Sequence, residues 1–154
     1  MSKWFYVNFI IIIIVLWKIS SSYWGIHIIL GGLGFLFFMF NWMRHAMFAT
    51  IRSDITRVQK IKYAKASKKA MPFHKWTGSI ALLFIVAHAV TIINRYGFQP
   101  NNYKMMFGLM ASIILAFVVL TGWLRLYRTT VTKRIFHLSL AFTLFYLIII
   151  HILL

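Results

Sequence analysis

The sequence predicts an all-α integral membrane protein, a bundle of about five transmembrane helices in a single domain covering residues 1–154. Of the 154 residues, 62% are hydrophobic and only 12% are charged. One core of a soluble domain of this size could not bury so much apolar surface. Five stretches also lack Asp, Glu, Lys and Arg, and four of them have about the 20 residues that a helix needs to cross a hydrocarbon layer of roughly 30 Å.

The spans follow these stretches in chain order. The first, residues 4–22, has a short apolar run that Ile19 and the following serines extend, and its Trp4 and Trp17 suit the two membrane interfaces. A secretory signal would also begin with a lysine and an apolar run, but the bulky Trp and Phe content favours a retained anchor. The other predicted spans are residues 23–43, 72–94, 104–124 and 135–154. Pro72 is suited to the first turn of the third helix.

A basic loop, residues 44–71, is predicted between the second and third spans. Within it, Ile51, Ile55 and Val58 recur at helical spacing, which predicts a short amphipathic helix on the membrane surface. The basic charge suits anionic lipid headgroups. Because the sequence has no recognition motif and membrane spans flank the loop, we do not expect nucleic acid as a partner.

The basic residues predict the orientation of the chain. The region from Arg44 to Lys75 carries nine of them, the region from Arg125 to Arg134 carries four and Lys3 is one more, so 14 of the 17 collect on one side. That side is cytoplasmic by the positive-inside rule. The amino terminus is therefore predicted inside and the carboxyl terminus outside, in what we expect to be a bacterial cytoplasmic membrane.

The absence of some residue types excludes several chemistries. With no cysteine, the chain cannot form disulfides, ligate iron–sulfur clusters or attach a haem covalently. Its single acidic residue, Asp54, does not suffice for a carboxylate proton relay or a site for a hard metal ion. The sequence also shows no nucleophile constellation and no paired acid and base.

Four histidines repeat one interval in two spans. In the third span His88 follows His74, and in the fifth span His151 follows His137 at the same separation in sequence. This interval makes almost four helical turns, so each pair projects from nearly one face at two levels about 21 Å apart. Both spans run from inside to outside, which brings His74 level with His137 and His88 level with His151.

Two facing imidazoles at one depth suit a six-coordinate haem iron, and two levels suit two non-covalent b-type haems. We therefore predict that His74 and His137 bind the inner haem iron and that His88 and His151 bind the outer one, between the third and fifth helices. Gly78, one turn after His74, would let a macrocycle approach the backbone, although helix packing explains it equally well. Basic residues at the inner level could pair with haem propionates, although topology alone would place them there: Lys75, Arg125, Lys133 and Arg134.

The second span offers rival ligands. His27 and His45 are separated by about five helical turns, so they also share a face. We expect them to serve packing or the membrane interface. They remain the alternatives to the four histidines above.

The segment His74-Lys75-Trp76-Thr77-Gly78, with His88 after it and His137 and His151 two spans later, resembles the transmembrane domain shared by ferric reductases and NADPH oxidases. The resemblance covers roughly residues 23–154. It implies two haems between the third and fifth helices and electron flow from the cytoplasmic side outward, with the four histidines in the roles given above.

Family members usually have a sixth helix and then a flavin- and nicotinamide-binding domain, whereas this sequence ends shortly after His151 and contains no glycine-rich dinucleotide loop. We therefore expect the electron donor to be a separate soluble reductase, a membrane quinol or a small carrier. The outer acceptor stays open among ferric iron, oxygen, superoxide or its partner quinone, and a protein. The alternatives are a superoxide–quinone oxidoreductase of the four-helix cytochrome b type, a haem-handling or assembly protein, and a non-haem transporter or scaffold.

Overall fold

A computed structural model of the chain describes residues 3–21, 25–127 and 129–154. These residues form five α-helices joined by short connections and no strand. In chain order the helices are α1 (Lys3–Ser21), α2 (Ile26–Ile51), α3 (Arg57–Tyr96), α4 (Tyr103–Tyr127) and α5 (Val131–Leu153). Each is long and apolar enough to cross a membrane, which is consistent with an integral membrane protein.

The helix bounds agree with the predicted spans for α1, α4 and α5 and differ for α2 and α3. Ser22 and Tyr23, where the first span was expected to end and the second to begin, lie outside the described residues, as does the basic residue Arg128. The segment 44–71, predicted as a loop, is mostly helical, because α2 continues to Ile51 and α3 begins at Arg57. Charged residues end a hydrocarbon-spanning stretch, but Lys and Arg favour helix and do not end the helix itself.

Two further predictions about this segment are wrong. The amphipathic surface helix does not form, since Ile51 ends α2, Ile55 lies in the link and Val58 is in the first turn of α3. Pro72 lies inside α3 instead of opening it. Proline cannot donate the backbone hydrogen bond that a helix interior expects, and Pro72 is exposed at the polar end of the apolar stretch.

Local side-chain bonds fix where three helices begin. Thr56 and Gln59 form a reciprocal capping box before α3: the Gln59 amide donates to the Thr56 hydroxyl at 3.4 Å and the Thr56 amide donates to the Gln59 side-chain oxygen at 3.3 Å. At α4, the Met105 amide donates to Asn102 Oδ1 at 3.0 Å. Thr130 caps α5 by accepting from the Lys133 amide at 3.2 Å.

The chain divides into two compact units, Met1–Ala81 and Leu82–Leu154. In the first unit, α1 packs on α2, and the buried side chains include Asn8, Phe38, Met39 and Trp42. Asn41 accepts a hydrogen bond from the Thr77 hydroxyl at 2.8 Å, which joins α2 to the first part of α3.

The second unit is built on α4 and α5, the most extensive helix pair among the described residues. Its core contains Ala111 and Leu115 from α4 with Leu144 and Phe145 from α5. His137 is buried in the same unit, with 7% of its surface exposed. Burial of an imidazole is costly unless the ring has a hydrogen-bond partner.

Candidate functional site: the histidines of α3 and α5

The structure brings the predicted outer pair together. His88 of α3 and His151 of α5 both belong to the second unit, and their ring centroids are 6.4 Å apart with the ring planes at 83°. Both side chains are half-buried. The two residues are far apart in sequence and lie on different helices, so helix packing and not local structure creates this contact.

His151 is held by the beginning of α4. Its Nδ1 lies 2.9 Å from the carbonyl oxygen of Lys104. A carbonyl can only accept, so this bond assigns the proton to Nδ1 and makes Nε2 the unprotonated nitrogen of the neutral ring. The same ring lies against Gly108, where an added Cβ would approach His151 Cε1 to 2.8 Å. Glycine at this position therefore makes room for the imidazole.

His137 has a matching environment near the other end of α4. Its Nδ1 lies 3.0 Å from the Thr121 hydroxyl oxygen, and a Cβ on Gly122 would lie 3.5 Å from its Cε1. The Thr121 oxygen is also 2.8 Å from the Phe117 carbonyl and 3.0 Å from the Val118 carbonyl, and either can accept its single proton. When the hydroxyl donates to one of these carbonyls, its oxygen accepts from His137 Nδ1, and the ring carries the proton on that nitrogen.

His74 belongs to the first unit and His137 to the second, so the pairing of these two for an inner haem stays a prediction. Near His74, the Thr77 hydroxyl lies 3.2 Å from the His74 carbonyl and contacts Asn41 as described above. Gly78, the other residue predicted to contact the inner haem, follows Thr77 and is half-buried.

The two histidines of α2 lie in the first unit. The His45 ring stacks on Trp42, with centroids 5.1 Å apart, and meets Trp4 edge to face at 4.8 Å. His27 folds back against Gly25 at the start of α2, where an added Cβ would meet its Cε1 at 2.6 Å. Both rings therefore have packing contacts within their own unit, and their role in packing stays a prediction.

The basic residues considered for haem propionates differ in their surroundings. Lys75 extends over the Trp76 ring at 5.3 Å, and both Lys133 and Arg134 are exposed at the start of α5. Arg125 is different, because its Nε is buried and has no hydrogen-bond partner within the described residues. It lies one helical turn after Thr121, the residue that contacts His137, and so shares a face with it.

Lys104, Gly108, Thr121 and Gly122 are contacts that the sequence reasoning missed. One signal was present, since the interval between Gly108 and Gly122 equals the interval between His137 and His151.

Comparison of the chain with models of protein families, with curated proteins and with solved structures gave no match. Within the described residues, no group of three or more His, Cys, Asp or Glu side chains is placed to hold a metal ion. A haem iron takes four of its nitrogens from the porphyrin and needs fewer protein ligands than this.

Proposed function

We propose that the protein is a transmembrane di-haem b-type cytochrome that moves electrons from a cytoplasmic-side or quinol donor to an acceptor on the outer side. The observation that carries the proposal is the contact between His88 and His151. A metal ion holds an imidazole nitrogen at about 2 Å, so two imidazoles that bind one ion can have ring centroids up to about 6 Å apart. The observed separation of 6.4 Å agrees with this value.

The hydrogen-bond partners of the α5 histidines support the same role. Metal-binding histidines usually donate the proton of their other ring nitrogen to a carbonyl, carboxylate or water, which orients the ring. His151 Nδ1 lies within hydrogen-bond distance of the Lys104 carbonyl, and His137 Nδ1 lies within that distance of the Thr121 hydroxyl. A neutral ring that carries its proton on Nδ1 has an unprotonated Nε2, the nitrogen that would bind an iron.

Other residues of the chain suit the propionate and macrocycle of such a group. The buried Arg125 Nε is a charged donor next to the His137 level and would hold a propionate. A contact of Gly78 with a macrocycle stays a prediction from the sequence. When bound, each haem iron carries one electron by changing between its ferric and ferrous states. The protein would hold the two groups at levels almost four helical turns apart.

The alternative in which superoxide and quinone exchange electrons through a four-helix cytochrome b requires a ligand from α2. His45 packs against Trp4 and Trp42, and His27 packs against Gly25, contacts that fit a packing role for both rings. A haem-handling protein would share the histidines but would not pass electrons across the bilayer.

Proteoliposomes test the electron transfer itself. The purified protein is reconstituted in vesicles that contain ferricyanide, and an impermeant reductant is added outside. We expect the trapped ferricyanide to be reduced by the wild type and by His27→Ala, and to stay oxidised with His151→Ala, which removes one proposed ligand. Equal rates for the wild type and protein-free vesicles would contradict the proposal.

A further inference from the structure

α4 contacts both histidines of α5 through two arrangements of the same kind. Each arrangement combines a hydrogen-bond acceptor for Nδ1 with a glycine next to the imidazole: Lys104 and Gly108 for His151, Thr121 and Gly122 for His137. The two glycines are separated in sequence by the same interval as the two histidines. Because α4 and α5 are antiparallel neighbours, this equal spacing repeats the arrangement at both levels.

We propose that α4 is the positioning helix of the haem sites, with the Thr121 hydroxyl holding His137, and the Lys104 carbonyl holding His151, in the Nδ1-protonated form that presents Nε2 to an iron. The inference rests on the proposed function. It adds that the ligand geometry depends on a helix that supplies no ligand, and that Thr121 is the positioning residue of the site that includes His137.

The Thr121 hydroxyl is suited to this role by its own bonds. It donates to the Phe117 or Val118 carbonyl of its own helix, so its oxygen lone pairs face outward as acceptors. A hydroxyl that was instead free to rotate could donate to Nδ1 and select the opposite tautomer. The contacts to the helix carbonyls favour the orientation in which the ring is the donor.

Replacement of Thr121 tests the proposal, whereas the Lys104 acceptor is a backbone carbonyl and cannot be removed by substitution. Thr121→Val keeps the shape of the side chain and removes the acceptor. Outer-shell partners of metal-binding residues typically change metal affinity about 10- to 100-fold. We expect Thr121→Val to release one of its two haems to excess apomyoglobin roughly ten- to hundredfold faster than the wild type. The second haem should be released at the wild-type rate.

Two matched variants separate positioning from packing. Thr121→Ser keeps the hydroxyl and should restore slow release of both haems. Thr143→Val makes the same substitution in α5 at a threonine whose hydroxyl donates to the Ser139 carbonyl of its own helix, and should leave both release rates unchanged. If the valine variant at position 121 does not accumulate, Thr121→Ala removes the same hydroxyl without adding a methyl group against the ring.

The outcomes distinguish the two proposals. A wild-type protein without haem contradicts the proposed function. A wild-type protein with two haems, combined with a Thr121→Val variant that retains both as firmly as Thr143→Val does, overturns the positioning role and leaves the proposed function standing. Equal acceleration of the release of both haems would also overturn the positioning role, because the Thr121 hydroxyl contacts His137 and not His151.

Discussion

At the scale of single residues, the contact between the His88 and His151 rings predicts that both residues serve the same haem. His88 and His151 would hold the same iron together, so His88→Ala and His151→Ala should give the same phenotype, loss or alteration of the same haem. Reduced-minus-oxidised absorption spectra and a redox titration of each purified variant measure this. Two different spectral phenotypes would contradict the pairing.

The other proposed pair makes a parallel prediction that rests on the sequence. His74→Ala and His137→Ala should both affect the inner haem, because equal intervals in parallel helices give equal depths. The outer haem, assigned to His88 and His151, should stay in place. His27→Ala and His45→Ala serve as controls and should keep both haem signals. If one of these controls loses a haem while His137 or His151 proves dispensable, α2 supplies a ligand and the superoxide–quinone alternative becomes the better explanation.

At the scale of helices, the packing of α5 on α4 predicts different tolerance at two glycines. Gly108→Ala would place a Cβ 2.8 Å from His151 Cε1 and 3.0 Å from its Nδ1, so the ring must move away from the Lys104 carbonyl that holds it. Gly122→Ala would place its Cβ at an ordinary 3.5 Å from His137. We expect Gly108→Ala to shift the reduction potential of one haem or to lose it, and Gly122→Ala to keep both haems. A redox titration that finds both variants indistinguishable from the wild type would contradict this.

Sequence patterns predicted the number and order of the helices better than their ends. Apolar stretches free of charge predicted the existence and order of all five helices, because the length needed to cross hydrocarbon is set by the bilayer. They did not predict the ends of α2 and α3. α3 has 40 residues, about twice what a span requires, and its first half is rich in lysine, which favours helix outside the membrane as well as at its edge.

Only part of the candidate site could be predicted from sequence patterns. A repeated interval in sequence marked the four histidines, and for His88 and His151 it correctly selected two side chains that meet. It gave no indication of Thr121 or Lys104, because threonine hydroxyls and backbone carbonyls are common in helices and acquire a role only when a neighbouring helix approaches. Such contacts depend on the relative rotation of α4 and α5, which charge and hydropathy do not specify.

At the scale of the whole molecule, the distribution of basic charge predicts topology. The side with 14 of the 17 basic residues should be cytoplasmic, which places the first half of α3 inside and the carboxyl terminus outside. We expect a carboxyl-terminal fusion to a reporter that is active only outside the cytoplasm to be active, and a fusion to a reporter that is active only in the cytoplasm to be inactive. The opposite result would reverse the inner and outer assignments and leave the histidine pairing unchanged.

The central claim, that the bundle holds two haems, is tested most directly by counting them. The haem b content of the wild-type protein, purified in detergent, is measured as its pyridine complex and divided by the protein concentration from amino-acid analysis. Because the chain has two histidine levels and no cysteine for covalent attachment, we predict two extractable b-type haems per chain. A value near one would contradict the two-level arrangement, and a colourless protein would contradict the function itself.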